Sequence, residues 1–402
     1  MKVRRPEYYD RFRCIAGACS DSCCIGWEID IDEEKEALYR KIPGALGERM
    51  KHCIDWEEGH FILQGKEERC PFLNQENLCD LILELGEESL CDICREHPRF
   101  YDWFDGLTEA GLGLCCEAAG RLVLAQEEPV RFVTEACPEP EDGAEAGETE
   151  NGEVEARETK NGEAEIEEVE SGDVEAELLN ILFFARDTAF AILQNREISI
   201  WDRLRRFMDY AEELQEMLEF GILEEIQETA AYYRENPAGE PGDMEEDIEE
   251  NIEENGAVEN PKKPETTENI YPGILKLCRA LEPIDESWPE KLSDLEALAA
   301  QPELLKETEE AFSKAVKDRD YEYEHLAVYF VYRYFMKCRF DGDVRSKAAL
   351  VLFCLQLIHL LDLETFRWKG SLSKEDRVQN AKLCSKEIEY SEENLDLLAE
   401  SL

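Results

Sequence analysis

The sequence predicts a mainly α-helical protein. A small cysteine-rich α+β metal-binding domain comes first, an all-α helical domain follows, and two disordered acidic inserts interrupt the chain. Three observations carry this. Twelve of the 16 cysteines fall within the first 137 residues. From residue 178 onward, apolar side chains recur at the spacing of a buried helix face. Two stretches, 138–177 and 235–268, hold 17 acidic against 2 basic and 13 acidic against 2 basic residues, a composition too charged and too poor in large apolar groups to offset the entropy of ordering.

Residues 1–137 form the expected cysteine-rich domain. Strand-like pieces occur at HFILQ (60–64), NLCDLIL (77–83) and LTEAGLGL (107–114), with helices over 33–39 and 117–125. The first insert, 138–177, repeats weakly every ten residues at Asn151-Gly152, Asn161-Gly162 and Ser171-Gly172, as a low-complexity linker does. Residues 178–234 form a helical segment, as in LLNILFFARDTAFAIL, and 235–268 a second linker rich in Pro and Gly. Residues 269–402 continue as a helical domain, with HLAVYFVYRYFMKCRF and AALVLFCLQLIHLL as its most apolar runs.

The formal net charge is −52, from 96 acidic and 44 basic residues, and the inserts hold half of the excess. Such a balance repels phosphates and anionic lipid, so neither nucleic acid nor membrane is an expected partner. The opening MKVRRPEYYDRFRC has no apolar signal core. The longest apolar run, Ala348–Leu361, is broken by Gln356 and His359 and reads as a buried helix. A cytoplasmic location is therefore expected, where disulfides are rare.

The thiols then require another purpose. Their spacings are Cys14-x4-Cys19-x3-Cys23-Cys24, Cys70-x8-Cys79, Cys91-x2-Cys94 and Cys115-Cys116. Bunched thiolates close round a metal at little entropic cost. All-sulfur ligation suits zinc or an iron–sulfur cluster and excludes magnesium and calcium. The pattern is neither paired CxxC knuckles nor the ferredoxin run, and only His52, His60 and His97 lie nearby. More than four thiols are present, so there are two sites, or some cysteines are merely buried. A structural zinc clamp on a non-catalytic scaffold stands as the alternative to an iron–sulfur enzyme. Cys278, Cys338, Cys354 and Cys384 sit singly in helical patterns and read as small buried hydrophobes.

These segments resemble the flagellin lysine N-methylase family, whose members share a cysteine-cluster region thought to chelate iron or zinc. The likeness is carried by FRCIAGACSDSCCIGWEIDID (12–32) and by CPFLNQENLCDLILELGEESLCDICREHPRFYDWFDGLTEAGLGLCCEAAGRLVL (70–124). Later, EHLAVYFVYRYF (324–335) and SKEIEYSEENLDLL (385–398) resemble two family helices. The sequence departs from the family at His97, where an aromatic is usual, at Glu117, where a proline often stands, and at His325, where an amide is usual.

The resemblance implies methyl transfer to lysines of flagellin with S-adenosylmethionine as donor and an iron–sulfur cluster, 4Fe–4S in form, or zinc as the alternative. The expected metal ligands are Cys14, Cys19, Cys23, Cys24, Cys70, Cys79, Cys91, Cys94 and Cys116. Gly111–Leu114 (GLGL) is too little for a dinucleotide-type turn, so a Rossmann domain is not expected to hold the donor. Arg99 could grip the donor's carboxylate through its fork, or pair with a neighbouring acid. Trp27 is expected to cover the metal site, and Asp21 to accept hydrogen bonds from the chain near the cysteines or, alternatively, to cap a turn. The stripe Tyr329, Phe330, Tyr332, Tyr334 and Phe335, with Arg333 at its edge, is expected to be core.

Overall fold

The computed structural model describes residues 2–136, 171–236 and 270–402, apart from positions 21, 27, 28 and 67. Asp21, Trp27, Cys137 and most of both acidic inserts lie outside the described residues. The architecture is mainly α with a small α+β amino-terminal part.

The chain starts with β1 (Lys2–Pro6), followed by α1 (Glu33–Tyr39), α2 (Gly44–Cys53) and the two-stranded ribbon of β2 (Ile54–Asp55) and β3 (His60–Phe61). Then come α3 (Asp80–Leu85), α4 (Asp92–Glu96), β4 (Arg99–Phe104), β5 (Leu107–Leu112), α5 (Glu117–Val123) and β6 (Phe132–Ala136). The main sheet runs β4-β5-β1-β6. β4 and β5 are an antiparallel hairpin closed by Asp105-Gly106, with Gly106 at φ +70°, the conformation that favours glycine at a tight turn. β1 lies parallel to β5 and antiparallel to β6.

NLCDLIL does not form the expected strand. Leu73 bridges Cys79, and helix α3 starts directly after it. Leu81 alone points fully inward while Ile82 and Leu83 remain exposed, so the apolar run is a short half-exposed helix turn. The HFILQ and LTEAGLGL pieces do contain strands, β3 and β5. The glycines of GLGL serve packing. A Cβ at Gly111 would lie 2.1 Å from the Phe100 ring, and Gly113 donates its N–H to the Pro98 carbonyl at 2.7 Å.

The helical part consists of α6 (Ser171–Leu193), α7 (Ile200–Phe220), α8 (Leu223–Glu235), α9 (Tyr271–Ala280), α10 (Trp288–Ala299), α11 (Pro302–Ala315), α12 (Asp320–Tyr334), α13 (Cys338–Asp341), α14 (Val344–Lys369), α15 (Lys374–Glu389) and α16 (Glu392–Ser401). Side-chain caps begin several of them. Ser199, Asp343 and Ser391 each accept a backbone N–H of the first turn, and Ser373 with Asp376 forms a capping box. Ser391 also splits the segment 385–398 between two helices. α14 is long and apolar enough to cross a membrane, but most of it is buried among the other helices, as Ala348–Leu361 led one to expect of a core helix.

Two cores result. The large one joins α5–α7, α9, α12, α14 and α15 with the main sheet through Tyr8, Phe12, Leu112 and Leu114. The small one gathers Ile29, Tyr39, Met50, Phe61, Phe72 and Leu81 with Cys70 and Cys91. The stripe Tyr329–Phe335 is buried, and its hydroxyls weld helix to sheet. Tyr332 donates to the carbonyls of Arg4 and Ala110, and Tyr329 accepts from the Leu114 N–H at 3.1 Å. Arg186 of α6 clasps Glu109 of β5 through two bonds of 2.6 and 2.5 Å, both groups buried. His325, in the place of a family amide, does an amide's work. Its two ring nitrogens face the carbonyls of Val123 and Glu128 at 3.0 and 2.9 Å, tying α12 to the end of α5.

Candidate metal centre

A cavity of about 450 Å³ lies between the small core and the main body. Nine cysteines line it: Cys14, Cys19, Cys23, Cys24, Cys70, Cys79, Cys94, Cys115 and Cys116. They come from four separated stretches of the chain. Eight of the nine expected ligands are in the lining; the ninth, Cys91, is buried behind it and hydrogen-bonded to Cys94. Cys115 belongs to the lining as well, although its neighbour Cys116 was the expected ligand. Cys53 stands apart, its sulfur 4.0 Å from Gln64 Nε2. Cys278, Cys338, Cys354 and Cys384 are buried in the helical core.

Local structure aims the sulfurs. Cys79, Cys91 and Cys116 each occupy the N-cap of a helix. The N–H groups of Leu81 and Ile82 point at the Cys79 sulfur, and those of Ala118 and Ala119 at Cys116. Burial raises both thiols, and these N–H groups oppose it, as they must where a thiolate is to be held. The hydrogen bond from Cys23 pulls Cys24 down to about 7, and a bond from Cys94 lowers Cys91 in the same way. Burial pushes Cys70 up to about 12. Burial does the same to Cys115, although its sulfur accepts the Tyr390 hydroxyl.

The spacing of the sulfurs bears on what fits. A tetrahedral zinc at ~2.3 Å from each sulfur draws its ligands to roughly 3.8 Å of one another. Among the described residues, the group of three candidate ligand atoms that lie mutually within 4.8 Å is Asp55, Glu58 and His60 on the β2–β3 turn, which does not line the cavity. In and behind the cavity, two sulfur pairs, Cys23–Cys24 and Cys91–Cys94, are close enough to hydrogen-bond. The residues present fit a thiolate-bound metal, zinc or an iron–sulfur cluster: soft ligands in excess, N–H donors on the sulfurs, and room beyond them for an organic ligand of the 300–1,000 Å³ class.

The charged groups in the rest of the wall are mostly cationic, with Glu87 and Glu117 the acids among them, against the sign of the whole chain. Arg13, Arg95, Arg99, Lys382 and Lys386 line it. Lys386 pairs with Asp285 at 3.0 Å, and Arg95 with Asp92 and Glu96. Arg99 lies over the rings of Phe12 and Tyr9 and bonds the Arg95 carbonyl at 3.3 Å. Among the described residues, no carboxylate lies within 4.0 Å of it. Burial holds His97, also in the wall, down to about 4.

Glu117 was marked only as a departure from the family pattern. Its buried carboxylate accepts the N–H and hydroxyl of Ser20 at 2.9 and 2.5 Å and pairs with Arg121, pinning the Cys14–Cys24 loop to α5. These bonds hold it down to about 2 against its burial. Lys382, Lys386 and Tyr390 on α15 were not anticipated at all. They join the site from more than 250 residues away, and no local motif signals them.

A family model described as the FliB lysine N-methylase C-terminal domain matches residues 186–402. The chain is 29% identical over 133 residues to the flagellar biosynthetic protein FliU of Salmonella muenchen, covering 31% of this chain and 78% of that protein. It is 29% identical over 131 residues to a lysine-N-methylase of Salmonella typhimurium, and 28% identical over 131 residues to one of Salmonella choleraesuis. Each of these two matches covers 31% of this chain and 33% of the relative, so the chain spans about a third of the length of the named methylases it matches. No solved structure matches. The family model begins within α6 and takes in every later described element, including the α15 wall of the cavity, and because it covers more than half of the sequence, the chain belongs to the FliB lysine N-methylase family.

Proposed function

We propose that this protein methylates lysine side chains of flagellin in the cytoplasm, with S-adenosylmethionine as donor and a cysteine-ligated iron–sulfur cluster in the cavity. The observation that carries the reading is the joining of nine cysteines and Arg99 in one 450 Å³ cavity. A cluster held there by only three thiolates would offer an open iron position to the donor's amino acid end. Arg99 would hold the donor's carboxylate through its fork.

The wall also addresses the substrate. A free lysine amine has a pKa of ~10.4 and is protonated at neutral pH. The cationic groups Arg99, Lys382 and Lys386 disfavour a protonated amine, so they shift an entering lysine toward its neutral form. In a polar transfer the amine lone pair takes the methyl carbon and the carbon–sulfur bond breaks with its electrons kept by sulfur. The new ammonium then loses a proton to solvent.

The test is mass spectrometry of flagellin co-expressed with this chain or with its Arg99→Gln variant. Added 14-Da increments on lysine are expected with the wild type (one CH2 each, about 14 Da) and fewer with the variant. Unmodified flagellin beside metal-loaded protein would sink the reading and leave a metal-binding scaffold.

A further inference from the structure

Ten thiols gathered in and behind one cavity exceed what a single four-iron cluster takes. Their strongest electrostatic neighbours fall into two groups. Cys70 interacts with Cys24, Cys79 and Cys91, and Cys94 with Cys91, Cys24 and Cys70. Cys79 interacts with Cys24. Cys116 interacts instead with Cys19 and Cys14, and Cys23 with Cys14 and Cys116. The two groups meet where Cys23 hydrogen-bonds its neighbour Cys24.

The groups also stand on different foundations. The first is built into the small core, where Cys70 and Cys91 are buried and the Cys70 N–H bonds the Cys24 carbonyl at 2.8 Å. The second rides on the 13–26 loop. Among the described residues of 13–26, not one side chain is fully buried, though Ile15 packs partly on the large core and Ile25 on the small one. Ser20 holds the loop to Glu117 and Gln379, and its end is tied to Glu68, Arg69 and Cys70. A loop that orders four cysteines while burying no side chain fully gains little apolar burial against its lost entropy; ligation of a metal would add to it.

We propose that the cavity holds two inorganic centres side by side, one drawn from Cys24, Cys70, Cys79, Cys91 and Cys94, the other held by Cys14, Cys19, Cys23 and Cys116. The first centre is enclosed by the small core and the second faces α5 and α15. Cys23 and Cys24, adjacent in sequence, give one ligand to each and fix the two at neighbouring positions. This rests on the reading that the cavity thiols bind metal.

Metal and acid-labile sulfide are measured on the full chain purified without air. Two four-iron clusters give about eight iron atoms per chain, and one gives about four. The double variant Cys14→Ser/Cys116→Ser is expected to lose half of the metal, and Cys70→Ser/Cys79→Ser the other half. Limited proteolysis within 13–26 should rise in the first variant and remain low in the wild type. A wild-type content of one centre overturns the proposal whatever the variants do, and so does full metal retention by Cys14→Ser/Cys116→Ser. Absence of metal from the wild type would instead overturn the underlying assignment of a metal cavity.

Discussion

Replacing Arg99 tests the proposed donor site separately from the proposed metal centre. The guanidinium reaches the cavity at the start of β4, held by the Arg95 carbonyl and by two aromatic faces, with its centre 5.2 Å from the Phe12 ring. A hydrogen bond to a charged group contributes about 1.5–3 kcal/mol. Arg99→Gln keeps two donors but loses the charge and the fork, so S-adenosylmethionine should bind about 10- to 150-fold more weakly. Arg99→Lys keeps the charge without the fork and should fall between. The lost cation–π stacking costs about 0.5–1 kcal/mol of stability, too little to unfold the chain. The assay is calorimetric titration of the metal-loaded protein without air, with metal content measured on the same samples. Equal affinity in wild type and Arg99→Gln at equal metal content would refute the carboxylate role. A loss of metal along with affinity would show that Arg99 supports the centre rather than the donor.

Four other outcomes follow from the same geometry. Cys94→Ser should release metal, whereas Cys338→Ser, in the helical core, should leave metal content unchanged; equal retention would contradict the site. Arg186→Met strands the buried Glu109 carboxylate, apart from Arg4 at 3.8 Å; it should cost about 3–5 kcal/mol in urea unfolding, with much of that regained on adding Glu109→Leu. A cost under ~1 kcal/mol would refute this account of the sheet–helix weld. Burial pushes Glu387 up from 4.5 to about 7, so its contribution to stability is full below about 4.5 and lost as pH rises through 7. Glu387→Gln should therefore show a smaller fall in Tm between pH 5 and 8, and parallel falls in the two proteins would contradict it. Chelation of the metal should speed amide exchange in 29–94 more than in α12 or α14; uniform change across the chain would speak against a metal-supported small core.

The sequence made the helices and the thiol clustering readable because both are local signals. Period and capping define α7, α14 and α15, and the short spacings bring Cys14–Cys24 and Cys91–Cys94 together without any knowledge of the fold. What escaped was set by partners distant in sequence. NLCDLIL reads as a strand until one sees that only Leu81 finds the small core. β1, KVRRP, has little apolar character, and becomes a strand because β5 and β6 flank it and Arg4 finds Asp187 at 2.8 Å. Lys382 and Tyr390 look like ordinary residues of a polar helix. Only the packing of α15 on α5, where Gly120 lets Val378 approach, brings them to the thiols.

That packing also explains why one site draws on such dissimilar parts of the chain. The elements of the small core, α1 to α4 with β2 and β3, pack chiefly on one another. The main sheet shares its apolar side chains with the helices instead. The cavity lies at the seam between these two bodies, and its sulfurs come from both sides: Cys70, Cys79 and Cys94 from the small core, Cys115 and Cys116 from the connection of β5 to α5, and Cys14–Cys24 from the loop that joins them. Few apolar contacts cross such a seam, so a group bound by thiols from both sides gains leverage over their relative position. On the proposed function, a protein substrate would reach that group from outside, and a seam admits a side chain where a closed core would not. The same placement therefore serves cohesion and access, with the cationic face of α15 forming the wall that an incoming lysine would meet.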